Sequence, residues 1–116
     1  MNIALLGTNI DITEALRAKV YAEFEKFKKV LDPHVRIAVE IGKINKHHKQ
    51  GEVYKAEAKI VEPKAEYFAN FITENLYTSI TTLADELFEK VTKSKAKHRS
   101  LSKRGGGKIK ELLKLS

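Results

Sequence analysis

Five cations fall within ten residues near the far end of the chain: Lys90, Lys93, Lys95, Lys97 and Arg99. On a helix, Lys90, Lys93 and Lys97 share one flank of an apolar stripe, and Lys95 and Arg99 share the other. A helix end charged on both flanks can straddle a phosphate backbone, each cation acting as a point charge that releases condensed counterions. The surrounding charge agrees. Residues 90–116 hold 10 Lys or Arg against one acid, Glu111, a net of +9; residues 1–89 hold 12 against 14, a net of −2. The overall charge of +7 therefore originates entirely at this end. Such segregation points to a polyanionic partner, nucleic acid or anionic lipid. Its plainer reading is a solvated basic tail that favours solubility.

Catalytic chemistry finds little footing. There is no Gly-x-Ser-x-Gly elbow and no Gly-x-Gly-x-x-Gly turn. Cysteine is absent, which removes disulfides, thiolate metal sites and cysteine nucleophiles. Gly105-Gly106-Gly107-Lys108 has the lysine of a phosphate-binding loop without its earlier glycine, its following Ser/Thr or its strand–loop–helix setting. His47 and His48 adjoin in a basic loop with no further ligand in evidence, and His34 and His98 are isolated, so no metal site is expected. No carboxylate cluster suited to the metal ions of a nuclease stands out. Tyr54, Tyr67, Phe68 and Phe71 sit in strand patterns and read as core more readily than as platforms for bases. With no RNP-like motif, contacts to backbone and shape are expected rather than base reading. The expectation is a binding protein, not an enzyme, with no cofactor and no small-molecule substrate.

The elements that position the cations follow from periodicity. With 116 residues, 42% of them hydrophobic and 32% charged, the chain suits one globular domain. Asn2–Leu6 is a short apolar run ended by Gly7-Thr8-Asn9, a strand. Thr13 or Asp11 can cap a helix whose stripe is Leu16, Val20, Phe24, Phe27 and Leu31, stopped by Asp32-Pro33. Val35, Ile37, Val39 and Ile41 alternate with polar neighbours. Tyr54, Ala56, Ala58 and Ile60 do the same after the basic loop Lys43–Gly51, and Tyr67, Ala69 and Phe71 follow the turn Glu62-Pro63-Lys64-Ala65. Asn75 is a plausible cap for a last helix with core positions Leu76, Ile80, Leu83, Leu87 and Val91. The order β-α-β-β-β-α predicts an α+β fold: a four-stranded sheet with two helices on one face and the other face in water. Past Val91 the stripe turns polar, so a continuing helix must protrude. Ser100–Gly107 reads as a linker, and Lys108–Ser116, with Ile109, Leu112, Leu113 and Leu115, as a possible short amphipathic helix. The expected division is residues 1–97 as the folded domain and 98–116 as a basic flexible tail.

Ile12-Thr13-Glu14-Ala15-Leu16-Arg17 opening the first helix, three strands, then Asn75-Leu76-Tyr77-Thr78-Ser79-Ile80 and Val91-Thr92-Lys93-Ser94-Lys95-Ala96-Lys97 in the last helix, resemble the ribosome hibernation-promoting factor family, which includes ribosome-associated inhibitor A. The resemblance spans residues 1–97. It implies a fold like that of double-stranded RNA-binding domains and binding to the small ribosomal subunit between head and body. Messenger RNA and A- and P-site transfer RNA would be blocked there, in idle ribosomes, without catalysis. It also implies rRNA-binding roles for Arg17 and Lys26 on the first helix and for Lys93, Lys95 and Lys97 on the second. Glu23, Glu86 and Glu89 stand where the family usually carries a cation, which moves the expected contact toward the C-terminal end. The resemblance is to the short members, so the further domain of the long members is not expected.

The functional expectation is a translation-inhibiting hibernation factor of stationary phase and stress, monomeric off the ribosome. The alternative is a free-standing module for structured RNA. A membrane partner is not expected, although the basic, leucine-bearing tail raises an anionic-surface anchor as a rival. No apolar run approaches the roughly 18 residues of a membrane span, and Met1–Thr8 lacks the features of a signal peptide, so a cytoplasmic address is expected.

Overall fold

The structure, a computed structural model, describes residues 2–44 and 51–102, with side chains as far as Lys97. The chain leaves β1 (Asn2–Thr8) through Asn9, whose φ of 60° is a left-handed conformation that asparagine tolerates. The Asn9 side-chain amide donates to the Lys43 carbonyl at 3.3 Å. Thr13, rather than Asp11, then caps α1 (Glu14–Phe24): its hydroxyl accepts the Leu16 N–H at 3.1 Å.

The stripe Leu16, Val20, Phe24, Phe27 and Leu31 is buried as its spacing predicts, but not by one α-helix. After Phe24 the backbone tightens into a 3₁₀ segment, Glu25–Lys29, and the N–H groups of Val30 and Leu31 both close on the Phe27 carbonyl. This geometry keeps the Phe27 ring stacked on Phe24 at 5.3 Å and edge-on to Phe88 at 5.4 Å.

The sheet runs in chain order: β1, β2 (Arg36–Ile44), β3 (Val53–Glu62) and β4 (Ala65–Thr73). The α1 crossover makes β1 parallel to β2, while β2–β3 and β3–β4 are antiparallel. Gly42 faces Thr8 across the β1–β2 pair, and a Cβ placed there would lie 2.5 Å from the Thr8 carbonyl oxygen. Only glycine lets β1 approach this closely.

Asn75 caps α2 (Leu76–Ser102), its Oδ1 accepting the N–H groups of Tyr77 at 2.9 Å and Thr78 at 3.3 Å. Leu76, Ile80, Leu83, Ala84, Leu87 and Val91 meet Ile37, Val39, Ile41, Ala58 and Ile60 of the sheet in a single core with the α1 stripe. The opposite sheet face is open. Leu6, Val61, Phe68 and Ile72 stand half or more exposed on it, so Phe68 is a surface residue despite its strand pattern. Tyr67 is buried, and Tyr54 and Phe71 are half-buried.

Val91 is the last fully buried position of α2, yet the helix continues to Ser102, five residues past the expected boundary and three into the stretch that composition suggests is linker. Adding a turn to an established helix is far easier than starting one, so Ser100-Leu101-Ser102 follow. Residues 45–50, including His47 and His48, and the segment 103–116 lie outside the described residues.

Candidate nucleic-acid interface

The far end of α2 stands clear of the sheet. Lys95 Nζ reaches Glu62 Oε2 at 3.1 Å, at the last residue of β3, so residues 96–102 pass beyond this rim by about 10 Å. Lys90 leaves the helix on the opposite flank and donates to the Phe68 carbonyl of β4 at 2.8 Å. Lys93 is paired with Glu89 at 2.7 Å, and Lys97 has no ion pair or hydrogen bond among the described residues. Arg99 belongs to the helical backbone here; its side chain lies outside the described part.

Arg17 and Lys26 do not join this cluster. The helices α1 and α2 run side by side in the same direction, with Glu23 against Thr81 and Phe27 against Phe88. Arg17 is exposed near the start of α1, on the order of 30 Å along the helix direction from Lys95. Lys26, on the 3₁₀ segment, is ion-paired with Asp85 and sits 5.2 Å above the Phe88 ring, so it ties that segment to α2.

Between these ends the helical face is charge-compensated. Glu23 accepts hydrogen bonds from Lys19 at 2.8 Å and from Thr81 at 3.3 Å, bridging the two helices. Asp85, Glu86 and Glu89 follow along exposed positions of α2. The Glu89 carboxylate, with its hydrogen bond to Lys93, holds that ammonium above its ordinary pKa, and Lys93 lowers the pKa of Glu89 in return. Both partners are well exposed, with side-chain accessibilities of 76% and 58%, so exchanging Glu89 for another anion costs little. The i,i+4 pairs Lys19–Glu23 and Glu89–Lys93 are legible in sequence spacing. Asp85 and Glu62, which engage Lys26 and Lys95 across 59 and 33 residues, are not.

An open groove of about 420 Å³ lies beside the Lys95–Glu62 pair, lined by Glu62, Pro63, Lys64, Tyr67 and Ser94. Together with the protruding turns of α2 it offers ammonium groups at several angles to an approaching phosphate chain. Among the described residues, no three His, Asp or Glu side chains converge as metal ligands.

Residues 3–99 match the family model described as sigma 54 modulation protein / S30EA ribosomal protein. The chain belongs to this family. It is 30% identical over 101 residues to a ribosome hibernation promoting factor of Pseudomonas putida, covering 87% of this chain and 93% of that one. It is 28% identical over 99 residues to the ribosome hibernation promoting factor of Escherichia coli K12, covering 84% and 96%. Two solved structures share the fold. The Thermus thermophilus Protein Y N-terminal domain superposes with a TM-score of 0.68 at 24% identity, over 80% of this chain and 98% of that one. A ribosomal subunit interface protein from Coxiella burnetii superposes with a TM-score of 0.66 at 22% identity, over 83% and 99%.

Proposed function

We propose that this protein is a ribosome hibernation factor that binds the small ribosomal subunit at its decoding region, where its bulk excludes messenger RNA and A- and P-site transfer RNA. The family and the hibernation factors of Pseudomonas putida and Escherichia coli support ribosome binding. The observation that carries the docking surface is the α2 end: helical turns clear of the sheet, with Lys90 and Lys95 leaving on opposite flanks and Lys93 and Lys97 exposed between Glu89 and the helix end. Residues 1–97 form the body in this reading, and 98–116 supply further positive charge.

The mechanism is occupancy, without a chemical step. As the body docks, Lys93 and Lys95 exchange Glu89 and Glu62 for rRNA phosphates, and Lys90, Lys97 and Arg99 add contacts that release counterions. Acids at Glu23, Asp85, Glu86 and Glu89 repel phosphate along the helix middles, so contact concentrates at the α2 end. Arg17 is a separate contact, and Lys26 serves mainly to hold the 3₁₀ segment against α2. The protein acts as a monomer on cytoplasmic ribosomes.

Competition tests this reading. Transfer RNA bound in the P site should displace the protein from small subunits. Undiminished binding beside P-site transfer RNA would instead favour a module for structured RNA elsewhere.

A further inference from the structure

The two edges of the sheet are guarded unequally. At one edge Lys90 of α2 reaches over β4 and donates to the Phe68 carbonyl at 2.8 Å, and Glu66 of β4 is paired with Lys59. A covering helix and charged side chains are common guards of a sheet edge. At the other edge β1 ends the sheet, and residues 2–10 contain no charged side chain and no proline. Asn2 donates its N–H to the Val35 carbonyl at 3.1 Å, so Asn2, Ala4, Leu6 and Thr8 turn their backbone groups toward β2. By alternation the N–H and C=O groups of Ile3, Leu5 and Gly7 point away from the sheet, and none has a hydrogen-bond partner among the described residues. Apolar surface accompanies them. Leu6 is 59% exposed on the open face, and Ile3 and Leu5 are half-buried on the helical one.

We propose that β1 pairs along this edge with β1 of a second copy, antiparallel about a two-fold axis at Leu5, joining two four-stranded sheets into one of eight strands. The strand's own sequence selects this occupant. In that register Leu5 meets Leu5, Ile3 meets Gly7 and Leu6 meets Ala4, so each large side chain lies opposite a small one or its own copy. The three outward residues of each copy exchange about six hydrogen bonds in all. Ile3 of the second copy arrives at Gly7, where the half-buried Ile12 adds apolar surface. An uncharged strand opposing itself meets no like-charge repulsion, and a two-fold pairing is closed, so assembly stops at the dimer.

The charge distribution permits this pairing. Each copy carries +7, but the excess originates at the far end of α2, whose Lys90 reaches β4 on the opposite side of the sheet. Seven inter-strand steps of about 4.8 Å separate the two β4 strands of the dimer, more than about 30 Å, against a Debye length of about 8 Å at physiological salt. Pairing one seven-residue strand from each copy buries less than the roughly 1,200–2,000 Å² of stable complexes. The dimer is therefore weak, forming in concentrated protein and separating on dilution. The monomer that the sequence led us to expect is the dilute form and the one that docks on small subunits.

Sedimentation equilibrium of the full chain from about 20 µM to about 1 mM should show the mass rising from 13.1 kDa toward twice that value. Over the same range amide exchange at Ile3, Leu5 and Gly7 should slow several-fold, while Ala4 and Leu6, already held in the ladder to β2, change little. Ala4→Lys alters an exposed position without touching that ladder; it faces Leu6 with a charge and sets two ammonium groups on diagonal positions across the axis. This variant should keep the monomer mass at about 1 mM with a native amide spectrum elsewhere. Phe68→Ser, on the open face at β4, should leave the dimer intact. A mass of 13.1 kDa at the highest concentration would overturn the proposal. So would protection of the three outward amides at every concentration, which would mean that the edge is covered within one chain. A dimer lost with Phe68→Ser and kept with Ala4→Lys would also overturn it, assigning the contact to the open faces.

Discussion

Reversing charge at the end of α2 by Lys93→Glu with Lys97→Glu removes two cations that make no core contact, since both side chains are exposed. Each lost phosphate contact lowers the log–log salt slope by about 0.7–0.9, so the slope should shrink by about 1.4–1.8. At about 100 mM monovalent salt this corresponds to roughly 25- to 60-fold weaker binding to small subunits. Part of the Lys93 contribution is offset in the native protein, because Lys93 must first leave Glu89, although solvent screening keeps the hold of this exposed partner weak. The companion variant Glu89→Gln removes that offset and should bind more tightly than the native chain. Titration of a fluorescent chain with small subunits, followed by anisotropy between about 50 and 200 mM salt, reads both quantities. If the double reversal leaves slope and affinity at the native values, the α2 end is not the docking surface.

Three further outcomes concern the scaffold. Leu87→Ala empties a fully buried site between α2 and the sheet and should lower unfolding free energy by about 2–5 kcal/mol, read from urea midpoints. Gly42→Ala places a methyl against the Thr8 carbonyl and should cost about 1–3 kcal/mol by prying β1 from β2; an unchanged melting temperature would refute this account of the glycine. Glu40 has its pKa lowered by the Thr8 hydroxyl, which donates to it at 2.6 Å, and next by Lys55. Its contribution is therefore present above the unfolded carboxylate pKa and lost as pH falls through the lower folded value. Glu40→Gln should flatten the loss of thermal stability on acidification below the ordinary carboxylate range, and an equally steep loss would show that other carboxylates govern it.

Local chemistry made much of the architecture legible before any coordinates. The stripe from Leu76 to Val91, the alternation of Ile37, Val39 and Ile41, and the cap at Asn75 are each statements about neighbours in sequence, and they hold in burial and hydrogen bonding. The 3₁₀ segment was not legible, because Phe27 answers to Phe24 and Phe88 together, a tertiary demand. Phe68 misled for a similar reason: alternation separates two faces without saying which one the helices cover. At the candidate site, the two flanks of α2 follow from helical spacing, whereas the ties of Lys26 to Asp85 and Lys95 to Glu62 depend on chain segments meeting in space. The helix length past Val91 was hidden by a polar, serine-bearing composition that ordinarily marks a linker.

The central claim is that this chain is a steric occupant of the small subunit, gripping rRNA through the end of α2. Co-sedimentation of the purified protein with isolated small subunits at low ionic strength, repeated as salt is raised, tests it most directly. The account predicts saturable, one-to-one pelleting that dissociates with a log–log slope of roughly −4 to −5 for about six phosphate contacts. Protein remaining in the supernatant at low salt would contradict it.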